Sequence, residues 1–262
     1  MGFADRLYVL WFTARLSWRD FLAHYPPKAY LLSTIPRAVL QVTFLAYLGY
    51  YAAGEAGREF AFIGACAQII VLATVVRGPA AITDERVMGT LHRLRLGTHP
   101  LPIIVSARWW IYVLEGLGDA VAAIVLAGLI TGEVGLAPKL LLALPLFLLV
   151  AVTTSTVGMV VGALSLTQRA DMLFANVASY ALMVFAGVVA PISVFGATGE
   201  LIARFLPLTN GLLAIRATVA GEEWIGLAAL ELAVGALWAG IAIGLLQLQS
   251  QRARARGSDE LL

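Results

Sequence analysis

Residues 185–221 read FAGVVAPISVFGATGELIARFLPLTNGLLAIRATVAG, an apolar stretch punctuated by Pro191, Gly196, Gly199, Pro207 and Gly211. It is greasy enough to lie in a membrane and too broken to be one straight spanning helix. Irregular backbone at membrane depth survives only where protein buries it or water reaches it. The segment therefore reads as a span that ends in re-entrant, amphipathic helices before the next span begins. Pro191, Pro207, Asn210 and Arg216 mark that re-entrant segment, which has the character of a pore entrance.

The rest of the chain agrees with a membrane setting. Hydrophobic residues make up 60% of the 262 residues and charged residues 13%, against about 25% charged in a typical soluble domain. Mean hydropathy is +0.87. The fold class expected is all-α integral membrane, a single transmembrane domain over residues 1–262. Spanning helices need about 20 mainly apolar residues. Six stretches meet that: Leu31–Tyr51, Phe60–Val76, Trp109–Ile130, Leu140–Leu164, Met172–Phe195 and Trp224–Leu248. Residues 1–28 form a cytoplasmic interfacial region, 29–248 the six spans, and 249–262 a cytoplasmic tail. Charged residues near the N-terminus (Asp5, Arg6, Arg15, Arg19, Asp20) argue against a cleavable signal peptide. The single Cys66 excludes a disulfide within the chain. The net charge of +2 gives no footprint for nucleic acid.

Orientation follows from Lys and Arg in short loops. The segment to Lys28, the Arg77–Pro100 loop, the Leu164–Asp171 loop and the tail together hold twelve, against four on the other side (Arg58, Lys139, Arg204, Arg216). Both termini are thereby placed in the cytoplasm of a cell inner (plasma) membrane, and the broken segment faces outside.

Two elements lie outside the spans. Over Leu7–Tyr25 the residues Leu7, Leu10, Trp11, Ala14, Trp18, Phe21, Leu22 and Tyr25 recur at helical spacing, an amphipathic helix lying on the membrane surface. Pro26-Pro27 ends it. Over Thr83–Leu96, TDERVMGTLHRLRL, Thr83 can cap a helix, Asp84 and Glu85 fill its first turn, Arg93 and Arg95 its last, and Gly97 can close it. Val87, Leu91 and Leu94 line one side with Met88 beside them. Such a stripe either docks a partner or folds back on nearby span ends.

These two elements, six spans, and the pattern Glu85-x3-Gly89-Thr90-Leu91-x2-Leu94 before Thr98-x-Pro100-Leu101 resemble the membrane subunit of type 2 ABC exporters. Leu206-Pro207-Leu208-Thr209-Asn210 and Ala214-Ile215-Arg216 strengthen the likeness. His92 stands where the family often has an acidic residue, and His99 is an extra residue before Pro100. The resemblance implies a permease half of an ATP-driven exporter. Its Thr83–Leu96 segment would be the coupling helix, with Glu85, Val87, Met88, Gly89, Thr90, Leu91 and Leu94 seated on a cytoplasmic ABC ATPase. Two such ATPase chains and a second permease chain, most simply an identical one, would complete the complex in the lipid bilayer. The chain lacks the GxxxxGK[ST] phosphate loop, so no cofactor is assigned to it; ATP and Mg belong to the partner. The resemblance fits a drug or natural-product exporter better than a polysaccharide exporter, because the lead-in HYPPKAYLLSTIPRAV (His24–Val39) lacks the Gly-x2-Trp turn of the latter.

Ionisable residues inside spans cost about 2.5–3.5 kcal/mol each near a helix centre, so each needs a reason. Arg37, Arg108, Glu115, Asp119 and Glu231 are the cases here. They form either a polar strip along the translocation path or inter-helix ion pairs, such as Arg37 or Arg108 with Glu115. His24, His92 and His99 all fall in cytoplasmic segments, and no hydrolase or metalloprotease motif accompanies them. A secondary transporter using Glu115, Asp119 and Glu231 as proton sites is the competing class; such folds usually show internal repeats, and the two halves of this chain show none. Gly158-x3-Gly162 and Gly240-x3-Gly244 permit close helix packing, within one chain or between two.

Overall fold

In a computed structural model, residues 3–91, 100–166 and 171–256 are described, and every regular element among them is helical. The elements are α1 (Phe3–His24), α2 (Ile35–Val71), α3 (Ala80–Val87), α4 (Leu101–Thr131), α5 (Ala137–Leu142), α6 (Leu144–Ser165), α7 (Asp171–Phe185), α8 (Gly196–Ala203), α9 (Thr209–Ala220) and α10 (Ile225–Arg256). A short turn (Pro27–Ala29) and a π-helical stretch (Tyr30–Thr34) lead into α2, and a second π-helical stretch (Leu72–Arg77) leaves it.

Among the described residues, four helical segments are long and apolar enough to cross a membrane: Pro27–Val87, Leu101–Thr131, Leu144–Ser165 and Ile225–Gln251. The first is not straight. Ala53 and Gly54 leave helical geometry, with Gly54 at φ 66°. A Cβ on Gly49 would collide with the carbonyl of Gly57 and with the Ala61 side chain. In a continuous helix Gly49 and Gly57 would stand about 12 Å apart along the axis, so the chain doubles back at Gly54 into two antiparallel arms. The expected division into Leu31–Tyr51 and Phe60–Val76 corresponds to these arms.

Three expected boundaries are corrected. The span expected over Met172–Phe195 ends as a helix at Phe185, after fifteen residues. Gly187 then takes φ 83° and Pro191 opens a one-turn 3₁₀ helix, Ile192–Phe195. The broken segment thus begins earlier than its apolar character suggests. The third span starts at Leu101 rather than Trp109, because Pro100 and Pro102 suit a helix start. Finally, the helix expected over Thr83–Leu96 is α3, Ala80–Val87. It is capped at Pro79 rather than at Thr83 and closed at Gly89 rather than at Gly97. Residues 92–99, including Leu94 and Gly97, lie outside the described residues.

Packing is set by small residues where backbones meet. α6 crosses the π-helical exit of α2 at Gly158, where a Cβ would collide with the Thr74 carbonyl. Trp109 of α4 closes the same crossing, donating its indole N–H to Thr74 O at 3.1 Å. Gly162 faces Ile82 and Trp109. The Gly158/Gly162 pair therefore serves packing inside the chain. Gly240 and Gly244 of α10 face open space, with nothing within 4 Å of an added Cβ. On the opposite flank α1 lies across α4, where Trp18 stacks on Trp110 (5.9 Å) and Phe21 meets Tyr112 edge-on (6.4 Å).

Gly158→Val is expected to destabilise the chain by about 1–3 kcal/mol or more through forced separation of α6 from α2. Gly240→Val should shift stability by less than about 0.5 kcal/mol. Thermal unfolding in detergent reads both.

Candidate functional site

Three clusters of polar residues stand out, and each joins elements distant in sequence. The first is at the end of α2. Arg77 reaches Glu115 at 2.7 Å and Asp119 at 3.0 Å. Glu115 and Asp119 are buried, one turn apart on α4. Tyr30, in the lead-in to α2, donates its hydroxyl to Asp119. The expected pairing of Glu115 with Arg37 or Arg108 is overturned. Arg108 precedes Glu115 by two turns of the same helix, about 10 Å, and instead meets Glu85 at 2.6 Å and Ala81 O at 3.1 Å. Arg37 is exposed and makes no ion pair among the described residues. Charge counting places Arg77 in a loop; the one sequence signal for its role is its position at the end of an apolar run.

The second cluster is the turn after α3. The Gly89 N–H donates to Arg86 O (3.1 Å) and the Thr90 N–H to Glu85 O (2.9 Å), with Gly89 at φ 69°. These are the two bonds of a Schellman closure, which needs a residue without a Cβ penalty at its left-handed position. The Thr90 hydroxyl also donates to the Glu85 carboxylate, which Arg108 holds from the other side. Glu85, Gly89 and Thr90 thus build a rigid helix stop. Beyond it the expected exposed stripe divides. Val87 and Met88 are 85% and 59% exposed, whereas Leu91 is 8% exposed and packs among Ile82, Leu101, Trp109, Leu166 and Leu246. Leu91 folds back on the span ends, because the turn at Gly89 redirects the chain.

The third cluster lies at the start of α9, in the broken segment before α10. Glu231 of α10 is fully buried. Its carboxylate accepts the Leu208 N–H at 2.8 Å, the Gly211 N–H at 2.9 Å and the Thr153 hydroxyl. An acidic group there satisfies donors that the start of α9 leaves open and meets the positive end of its dipole. Leu208 holds φ 90°, a left-handed conformation that a branched residue adopts only when its surroundings enforce it. Pro207 is buried and Pro191 exposed. Asn210 donates to Arg204 O at 2.8 Å. Arg216 donates to Phe60 O at 3.1 Å and lies 3.4 Å over the Phe60 ring, tying α9 to the second arm of α2. Sequence reasoning marked Asn210, Arg216 and Glu231 separately; the clamp that joins Glu231 to the Leu206–Asn210 motif became visible only in three dimensions.

The described residues thus combine long apolar helices with a capped helix stop and a carboxylate-clamped helix start. The sequence profile of the ABC-2 type transporter family matches residues 13–219. The chain belongs to that family. No curated protein and no solved structure matches it. As an ABC-2 membrane domain the chain is the permease component of an ABC exporter, a multi-pass transport subunit that works with an ABC ATPase subunit. The matched residues include the α3 turn, the Arg77 cluster and the Leu208–Gly211 motif, while Glu231 lies beyond them.

Arg77→Met should destabilise the protein by about 3–5 kcal/mol, since it strands two buried carboxylates. Adding Glu115→Gln and Asp119→Asn to Arg77→Met should recover much of that loss, as read by thermal unfolding. Glu231→Ala should cost about 1–3 kcal/mol through unpaired buried N–H groups; protease sensitivity of the Ala203–Thr209 stretch should rise with it.

Proposed function

We infer that this permease forms half of a dimeric exporter, with two identical copies and two ATPase chains, and that it moves a small molecule, natural product or lipid-like substrate outward. Each chain crosses the membrane six times with both termini in the cytoplasm. The two arms of α2, then α4, α6, α7 with the residues that follow it, and α10 make the crossings. The excess of Lys and Arg on one set of loops supports this topology. The drug-type reading is favoured by the Pro26-Pro27 lead-in, which lacks the turn of polysaccharide permeases.

The observation that carries the coupling assignment is the exposed Val87–Met88 pair at the end of a helix held by a Schellman turn and by the Glu85–Arg108 ion pair. A bare apolar pair on a rigid mount, beside the proposed cytoplasmic face, suits a groove on an ATPase. ATP binding would close the ATPase dimer and push on α3. The push passes through Glu85–Arg108 to α4 and separates the permease halves.

The test is co-purification from native membranes with a tagged permease. Wild type should retain a stoichiometric ATPase, and Val87→Glu combined with Met88→Glu should release it while the permease stays folded. Retention of the ATPase with normal transport would reject the assignment. Leu91→Glu is the contrasting variant: being buried, it should lower the melting temperature of the permease itself.

A further inference from the structure

α1 presents two different faces. One meets α4, where Trp110 donates its indole N–H to Ala14 O at 3.2 Å and Phe21 packs on Tyr112. The other is exposed, and Trp11, Arg15, Trp18, Arg19 and Leu22 follow one another on it at spacings of three and four residues. A helix brings positions so spaced into one stripe. Arg15 lies 5.3 Å from the centre of the Trp11 ring. Neither Arg15 nor Arg19 makes an ion pair among the described residues. Asp20, next in sequence, lies on another side of the helix, where it lines a cavity with Thr83 and Tyr112.

Beside the same stripe runs an apolar groove of about 370 Å³, walled by Trp18, Leu22, Leu31, Ile111 and Leu114. Leu31 and Leu114 are exposed, so the groove opens sideways towards lipid. Two polar side chains in its wall are engaged elsewhere. Glu115 pairs with Arg77 at 2.7 Å, and the Tyr30 hydroxyl donates to Asp119. An apolar slot and two guanidinium groups without a carboxylate thus share one edge of α1. A hydrocarbon chain joined to an anion is the chemistry that suits both parts. A guanidinium offers phosphate a planar fork of N–H donors, and basic residues at headgroup depth attract anionic lipids. A zwitterionic lipid carries the same phosphate with a cation beside it, so net charge separates the two.

We propose that the Arg15–Arg19 edge of α1 binds the phosphate of an anionic phospholipid, one of whose acyl chains lies in the groove between Trp18, Leu22, Leu31 and Leu114. Seated there, the lipid touches α1, the lead-in to α2 and α4 together, and so fixes how α1 sits against the bundle. It is a resident of the surrounding membrane rather than cargo. Neither the ATPase nor the direction of transport enters the binding.

The test uses the full chain in phosphatidylcholine bilayers and reads quenching of tryptophan fluorescence by brominated phosphatidylglycerol or brominated phosphatidylcholine. Trp224→Phe with Trp238→Phe leaves Trp11, Trp18, Trp109 and Trp110, all in α1 and α4, as the emitters. In that background the anionic lipid should quench with about fivefold higher apparent affinity. Arg15→Gln with Arg19→Gln, at exposed positions, should bring the ratio to about one. Arg15→Lys with Arg19→Lys keeps the charge without the fork and should retain about half of the preference. Leu31→Phe with Leu114→Phe narrows the groove and should lower the preference to about twofold with both arginines in place. Lys28→Gln removes an exposed cation off the stripe and should leave the ratio unchanged. Equal quenching by the two lipids overturns the proposal. So does a preference that survives the Arg15/Arg19 glutamine variant or the narrowed groove, or one that Lys28→Gln abolishes to the same extent.

Discussion

The Arg77 guanidinium, shared by Glu115 and Asp119, is the constraint on which the proposed cytoplasmic half of the molecule depends. Two carboxylates one turn apart on α4 cannot be buried together without a counter-charge. Supplying it from the end of α2 fixes how far that arm extends and how it is rotated against α4. The Tyr30 hydroxyl on Asp119 carries the same constraint back to the lead-in of the first arm. One ionic knot thereby sets three segments that are far apart in sequence, and α1 then settles across α4 on the aromatic surface beside it. Such knots do not add much stability over an apolar packing of similar volume; they specify which helix meets which.

Between the knots, the helices come together by backbone proximity. In lipid, apolar side chains gain little from one another, so association relies on close packing and inter-helix hydrogen bonds. Gly158 against Thr74, Gly64 against the Val188 carbonyl and Gly235 against Thr153 all follow that rule. The Thr74–Thr154 hydroxyl contact at 3.0 Å adds a polar tie at the same crossing as Gly158. α10 reaches α9 and α6 through Glu231 and Gly235, while its Gly240 and Gly244 face outward.

Much of this was legible in the residues. Composition and run length specify a helical membrane protein, the tryptophan-bearing periodicity specifies α1, and the Pro/Gly punctuation after Phe185 specifies a broken stretch. What could not be read is long-range pairing. Arg77 lies 42 positions from Asp119, and nothing in local periodicity selects it over Arg37 or Arg108. The turn after α3 shows a different limit. Asp84, Glu85, Arg93 and Arg95 carry the end charges of a fourteen-residue helix, yet Gly89 followed by Thr90 closes it early because Glu85 offers both its carbonyl and its carboxylate to Thr90. That choice buries Leu91 and leaves Val87 and Met88 bare. The Leu206–Asn210 motif resembles that of a family; its physical task, presenting the Leu208 N–H to Glu231 beside that of Gly211 just past the motif, depends on a helix that follows it.

That last dependence bears on how the chain is made. The Leu208 N–H donates to Glu231, twenty-three positions later in the sequence, so it has no buried acceptor while the ribosome is still producing α10. The strained Leu208 backbone and the start of α9 can settle only after the final helix has entered the bilayer and brought its carboxylate alongside. The start of α9 is therefore the last part of this segment to settle, although it precedes α10 in the chain. A nascent permease interrupted before residue 231 would leave the start of α9 without its buried acceptor.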